Sequence, residues 1–194
     1  QEAYNKEEFK MSITVNPYDL NDTCRVYQSL MHGLIMRYPE FKALDTYLKE
    51  HHFKDQPAST KYHLNISGGL LVHSVNVALI LDKLTSELNL QWQRAESPII
   101  VGLFHDLCKL DAYQQDLDGF TYNEDQLIKG HGDKSVMMLS QFTTLTEEEV
   151  LCIRYHMGAY ETDSWKQFDS AIKRYPNVLF THTADMIASK LWED

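Results

Sequence analysis

Apolar residues recur every three to four positions along most of the chain, which is the spacing of one buried face of an α-helix. A first helix is predicted to end near Tyr38, and Pro39 opens a second helix with apolar residues at helical spacing. We expect these two helices to form an N-terminal cap or extension over residues 1–55. The remaining residues, 56–194, are predicted to form the main domain.

Two later segments are apolar on nearly every side, which is typical of helices surrounded by other helices. The first follows Gly69 and reads LLVHSVNVALILDKLTSEL. The second reads ESPIIVGLFHDLCKL, with Ser97 as the predicted cap and Pro98 in the first turn. We expect both to lie at the centre of a helical bundle.

One stretch departs from the helical pattern. Asp118 and Gly119 lie between polar and aromatic residues, which predicts a β-hairpin that forms a small flap. Thr146 followed three residues later by Glu149 predicts a capping box at a helix start. Helices are predicted after the flap at about 133–142, 146–157, 163–174 and 177–192. The predicted fold class is therefore all-α with one small hairpin insertion.

Composition and charge narrow the function. The chain has 194 residues and a formal net charge of −10, which argues against long nucleic acid as a partner because that binding relies on clustered Lys and Arg. A small anionic substrate is still compatible with this negative charge, because bound divalent ions would make the local electrostatic field positive. No apolar window is long enough for a membrane helix, and no signal peptide is visible. We expect a cytoplasmic protein with no membrane partner.

Four histidines and two aspartates stand on separate apolar helical segments. They are His73, His105, Asp106, His131, His156 and Asp185. A single histidine on an apolar helix is usually a hydrogen-bonded core residue, but six such groups would be costly to bury unless a cation held them together. Imidazole and carboxylate are ligands for Mn, Fe, Co, Ni and Zn, and six groups with one bridging acid can hold two divalent ions. The three cysteines lack CxxC spacing and are predicted to be plain buried thiols.

The segments that carry these residues resemble a known family. GGLLVHS, FHDLCK, GHGDKS, RYHMG and HTADMIAS follow one another in the order seen in the HD superfamily of metal-dependent phosphohydrolases. That family is named for an adjacent His and Asp, here His105 and Asp106, and the resemblance covers roughly residues 60–194. The additional His131 and His156 resemble the two-metal branch of the family. The resemblance implies an HD helical bundle that hydrolyses a nucleotide or another small phosphate ester.

The resemblance also implies a role for each residue. One ion would be held by His73, His105, Asp106 and Asp185, while Asp106 would bridge to a second ion held by His131 and His156. A hydroxide bridging the two ions would be the nucleophile. Lys109 lies one helical turn beyond His105 and is predicted to place its ammonium at the phosphate or the nucleophilic water. The alternative for Lys109 is a solvated helix end. Asp106 and Lys109 are thus the predicted catalytic residues.

Four further residues are predicted substrate contacts. His63 could reach the mouth of the pocket, or pack as a loop residue on a helix start. His182 lies on the same helix face as the last predicted ligand and could contact substrate or orient that ligand. Lys134 and Arg154 each lie close in sequence to a predicted ligand, and Arg154 could clamp a phosphate.

Two other functions fit the same ligand order. The order also resembles the mixed-valent di-iron oxygenases, and the ligands alone do not separate these from the hydrolases. The second alternative is a noncatalytic sensor that binds a nucleotide. A degenerate binding module would usually show a replaced ligand position, and every position is filled here.

Overall fold

Helices make up most of the protein in the computed structural model, which describes residues 20–60, 64–116, 119–160 and 165–193. The α-helices are α1 (Leu20–Arg37), α2 (Phe41–Glu50), α3 (Gly69–Leu88), α4 (Ser97–Phe104), α5 (Lys109–Ala112), α6 (Gly132–Leu139), α7 (Glu147–Arg154), α8 (Trp165–Arg174) and α9 (Asn177–Ile187). A 3-10 turn spans Gly158–Tyr160, and a π-helical segment spans Ala188–Trp192. The all-α prediction is confirmed.

The predicted hairpin is also present. Strand β1 (Tyr113–Asp116) pairs antiparallel with strand β2 (Gly119–Tyr122), and Asp116 lies opposite Gly119. That register leaves two connecting residues, as in the commonest hairpins. Asp118, on which the prediction partly rested, lies outside the described residues.

Helix α3 lies at the centre of the bundle. It contacts α1, α4, α9 and the π-helical segment, and most of its first thirteen residues are buried. Leu70, Val75 and Leu81 of this helix are inaccessible to solvent. This explains why its sequence is apolar on nearly every side, since neighbours cover it all round.

Helices α1 and α2 pack on the same core as the rest of the bundle. Tyr27 of α1 and Phe41 of α2 belong to one apolar cluster with residues of α3, α4 and α7. The Phe41 and Phe104 rings stack with centroids 6.0 Å apart. The division into an extension over residues 1–55 and a main domain over 56–194 stays a prediction.

Two close backbone approaches bring the site-bearing elements together. A side chain at Gly102 of α4 would overlap the backbone of Ala78 on α3. A side chain at Gly132, the first residue of α6, would overlap the backbone of Arg154 at the end of α7. Glycine at these positions therefore permits two helix pairs to pack at short distance.

Among the predicted helix ends, one capping motif is confirmed and two details differ from the prediction. Thr146 and Glu149 form the predicted capping box at the start of α7. Ser97 is not a cap, because Glu96 takes that position and the Ser97 hydroxyl donates to Glu149. The final helix predicted over 177–192 changes at residue 188 from α to π geometry.

Within the described residues, no helix is both long enough and apolar enough to cross a membrane.

Candidate metal centre

The six predicted ligands come together from five places in the bundle. His73 lies on α3, and His105 and Asp106 follow the end of α4. His131 immediately precedes α6, His156 follows the end of α7, and Asp185 lies on α9. Four of the side chains are almost fully buried, while those of His131 and Asp185 are 31% and 14% exposed. The tight contact between α3 and α4, and that between α6 and α7, explains the convergence.

The Asp106 carboxylate lies between two pairs of imidazoles. Its Oδ2 atom is 3.6 Å from Nε2 of His73 and 3.4 Å from Nε2 of His105. Its Oδ1 atom is 2.8 Å from Nε2 of His131 and 3.5 Å from Nε2 of His156. Each oxygen therefore faces one histidine pair, which is the arrangement a bridging carboxylate requires. The Asp185 carboxylate joins the first pair, with Oδ1 3.2 Å from Nε2 of His73.

The outer nitrogens of three imidazoles are held by hydrogen bonds. Nδ1 of His105 and Nδ1 of His156 each donate to the backbone carbonyl three residues earlier, at 2.9 and 2.6 Å. Nδ1 of His73 donates to the Glu193 carboxylate at 2.9 Å. Because a carbonyl oxygen only accepts, the hydrogen of a neutral His105 or His156 ring lies on Nδ1 and leaves the Nε2 lone pair facing the centre. This is the orientation of metal-binding histidines.

Two buried atoms that face each other at the centre are poorly satisfied in the described part of the chain. Nε2 of His156 has no hydrogen-bond partner, and Oδ1 of Asp106, 3.5 Å away, has only its contact with His131. A buried polar atom without a partner costs about 1–3 kcal/mol. A cation between Oδ1 of Asp106 and Nε2 of His156 would satisfy both atoms, so these residues fit a metal ion.

The acids of the centre are ionised at neutral pH. Burial raises the pKa of Asp106, but Lys109 and the neighbouring histidines outweigh burial and hold this pKa well below its usual value. Burial likewise raises the pKa of Asp185, and His73 more than compensates. Both carboxylates are therefore in the form that binds metal.

Two histidines of the centre have pKa values shifted in opposite directions. Burial lowers the pKa of His73, yet Glu193 and Asp185 outweigh it and raise the pKa to about 10. Burial lowers the pKa of His156, so that imidazole is neutral at pH 7. Metal binding at such a site releases protons.

Lys109 also faces the centre. It is 6% exposed, and its Nζ atom lies 2.6 Å from Oδ2 of Asp106. The alternative of a solvated helix end is wrong, because the side chain is buried against the carboxylate.

Four of the six predicted ligands, together with Lys109, line a cleft of about 420 Å³. Lys190 adds a second ammonium to the walls, while Met157, Tyr160 and Met186 contribute apolar surface. Clefts of this size hold small molecules. The combination of two cationic side chains with apolar walls suits an anionic group attached to an organic body.

Of the four predicted substrate contacts, the three that the structure describes do not line this cleft. His63 lies outside the described residues. Lys134 is 3% exposed, and its ammonium donates to Asp111 at 2.5 Å and to the Gln126 side chain at 2.9 Å. Lys134 therefore connects α6 to the segments just before and just after the hairpin, and it does not line the cleft.

Arg154 and His182 have other partners. The Arg154 guanidinium forms an ion pair with Asp133 and lies over the Tyr155 ring. Nδ1 of His182 donates to the backbone carbonyl of His156 at 2.7 Å, so His182 packs behind a predicted ligand. Neither side chain lines the cleft.

Sequence reasoning missed two residues at the centre. Glu193 accepts from His73, and the only available signal was the general need of a ligating histidine for an outer partner. Cys108, predicted to be a plain thiol, is buried but has Sγ 3.6 Å from Nδ1 of His131. Its sulfur also groups with Asp106 and His131 within 4.8 Å.

Comparison with known proteins gives one match. A family model described as HD domain matches residues 70–187, a span that begins just before His73 and ends just after Asp185. Searches of curated proteins and of solved structures found no match.

Proposed function

Because the chain belongs to the HD-domain family, a metal-dependent hydrolase-type module, we propose that it is a phosphohydrolase acting on a nucleotide or another small phosphate ester. One observation carries the proposal. Each oxygen of the buried Asp106 carboxylate faces a different pair of imidazoles. A carboxylate so placed can bridge two cations, and paired cations are a common means of cleaving phosphate esters.

The centre would hold two divalent transition metal ions. We assign one ion to His73, His105, Asp106 and Asp185, and the other to Asp106, His131 and His156. Imidazole and carboxylate donors suit Mn, Fe, Co, Ni or Zn. Nε2 of His156 supports this assignment, because it has no hydrogen-bond partner among the described residues and lies 3.5 Å from Oδ1 of Asp106.

Two such ions, held by these residues, would lower the pKa of a bound water and polarise the oxygens of a phosphate group. Asp106 fixes the spacing of the ligand pairs through its two oxygens. Lys109 supplies a buried ammonium beside that carboxylate, where it can bind a phosphate oxygen or orient the attacking water. We propose Asp106 and Lys109 as the catalytic residues.

The surroundings favour a small substrate over a long polyanion. The cleft of about 420 Å³ accepts an organic group as well as a phosphate. The formal net charge of −10 opposes capture of nucleic acid along an extended surface. We therefore propose a nucleotide-sized phosphate ester as the substrate class.

The decisive experiment measures phosphate release and metal content in the same anaerobic sample. Metal-free protein is reloaded with Mn²⁺ or Co²⁺ and screened against nucleotides, cyclic nucleotides and a generic phosphodiester. We expect release that requires metal and is lost, together with metal, in Asp106→Ala. The matched control is Asp133→Ala, because Asp133 is 67% exposed and pairs with Arg154 away from the cleft.

Each other outcome identifies a different function. Protein that holds two irons as purified without chelator, consumes oxygen in a parallel aerobic sample and releases no phosphate would be a di-iron oxygenase. Protein that holds metal or nucleotide with neither activity would be a noncatalytic sensor. Either result would contradict the proposed hydrolase.

A further inference from the structure

Glu193 is a buried acid directly behind a predicted metal ligand. Its side chain is inaccessible to solvent, and its carboxylate accepts from Nδ1 of His73 at 2.9 Å and from the Asn76 side-chain amide at 3.0 Å. His73 and Asn76 lie one turn apart on α3 and are each 1% exposed. The carboxylate is thus held on the side of the His73 ring opposite the metal centre.

The backbone geometry that places Glu193 is unusual. Helix α9 carries Asp185 and then widens into the π-helical segment Ala188–Trp192, after which the Glu193 amide donates to the Ala188 carbonyl. Single π-helical turns are rare and are often found at functional sites. Here the wider turn brings an acid against α3 only eight residues after a predicted ligand on the same continuous helix.

The energetics point to a role beyond packing. A buried carboxylate is costly unless a nearby positive charge and hydrogen bonds compensate it. A carboxylate that accepts a hydrogen bond from Nδ1 of a metal-binding imidazole keeps the hydrogen on Nδ1 and points Nε2 at the ion. It also makes Nε2 more basic, and therefore a stronger metal ligand. A cation bound through His73 would in turn stabilise the Glu193 carboxylate through the polarised imidazole ring.

We propose that Glu193 is a positioning residue of the metal centre, acting through His73, and that Asn76 orients Glu193 for this role. This inference rests on the proposed metal centre and not on the identity of the substrate.

The test compares metal affinity with stability in Glu193→Gln. Glutamine keeps the size of the side chain and removes its charge. We expect Co²⁺ affinity, measured by competition with a chromogenic chelator, to fall by about 10- to 100-fold. The visible absorption bands of bound Co²⁺ should also shift, because the donor strength of His73 changes.

Glu148→Gln is the matched control. Glu148 is 3% exposed and accepts from the Asn177 side-chain amide and the Gln93 backbone amide, both at 2.8 Å. It is therefore a buried glutamate with similar partners but without a ligating histidine. We expect Glu148→Gln to lower the free energy of unfolding and to leave both Co²⁺ affinity and the Co²⁺ spectrum unchanged.

Asn76→Ala keeps the proposal testable if Glu193→Gln does not fold. This variant retains the carboxylate and frees its orientation, so a several-fold loss of Co²⁺ affinity is expected. Unchanged affinity and spectrum in whichever of the two variants folds would overturn the proposal, and so would an equal loss in Glu148→Gln. A wild-type protein that binds Co²⁺ but releases no phosphate would refute the proposed hydrolase and leave this test intact.

Discussion

Metal binding should raise the thermal stability of this protein by an amount that the site itself predicts. Among the described residues, Nε2 of His156 lacks a hydrogen-bond partner, whereas the facing Oδ1 of Asp106 keeps its contact with His131. A buried polar atom without a partner costs about 1–3 kcal/mol, so satisfying this nitrogen would recover about that much. A ligand present at 100 times its dissociation constant stabilises a folded protein by about 2.7 kcal/mol, which lies inside that range.

The corresponding change in Tm is measurable. For a chain of about 150–250 residues, 1 kcal/mol shifts Tm by about 2–4 °C, so saturating Mn²⁺ should raise Tm by about 5–11 °C over the chelated protein. The assay is differential scanning calorimetry of metal-free and reloaded samples, with metal content measured on each. Variants are compared by the metal-induced shift in Tm. Any effect of a substitution on the Tm of the metal-free protein is subtracted in that difference.

Asp106→Asn tests the reasoning behind this number. Asparagine keeps the shape of the side chain but removes the charge shared by both histidine pairs, so the metal-induced shift should nearly vanish. Asp133→Asn makes the same chemical change at a 67% exposed side chain and should retain the full shift. A full shift in Asp106→Asn, or none in wild-type protein with two ions bound, would refute the assignment of Asp106 as the bridge.

Three further predictions concern single positions. Lys109→Met should lower kcat for phosphate release by about 10²- to 10³-fold while Co²⁺ affinity stays within a few-fold, because the ammonium acts on substrate and is not a ligand; an unchanged kcat would contradict its catalytic role. Gly102→Ala should destabilise the fold by about 1–3 kcal/mol in urea unfolding, because the added methyl overlaps the Ala78 backbone. Gly33→Ala in α1, where nothing lies within 4 Å, should instead stabilise the fold by about 0.4–1 kcal/mol, and the opposite order would contradict the packing argument. Thr146→Ala should cost about 0.5–2 kcal/mol in the same assay through loss of the capping box, and a neutral result would show that water replaces the cap.

The helices were predictable because their signals are local. The capping box at Thr146 and Glu149 depends on residues three apart, and the all-round apolarity of α3 follows from its own twenty residues. Element ends were harder, because tertiary contacts compete with local preferences at the boundaries. Ser97 is a good cap by type, yet its hydroxyl binds Glu149 of another helix.

The six residues that cluster at the centre were predictable from residue type and order, whereas the hydrogen-bond and ion-pair partners of each were not. Lys134 and Arg154 are near predicted ligands in sequence, but each turns to a carboxylate elsewhere, on Asp111 and Asp133. Sequence proximity does not fix the direction of a side chain on a helix or in a turn. Glu193 shows the converse, because it lies 120 residues from His73 and has no sequence motif that links the two.

By itself, the sequence determined the helical class, the hairpin and the six residues able to bind metal, because periodicity, turn chemistry and donor type are properties of the residues themselves. The tertiary structure decided which oxygen of Asp106 faces which histidine pair, which lysine reaches the centre and which acid supports His73. Those outcomes depend on how closely α3 packs on α4 and α6 on α7, and on where the π-helical segment turns the chain. Such distances are set by packing among residues far apart in the chain, and no local pattern encodes them.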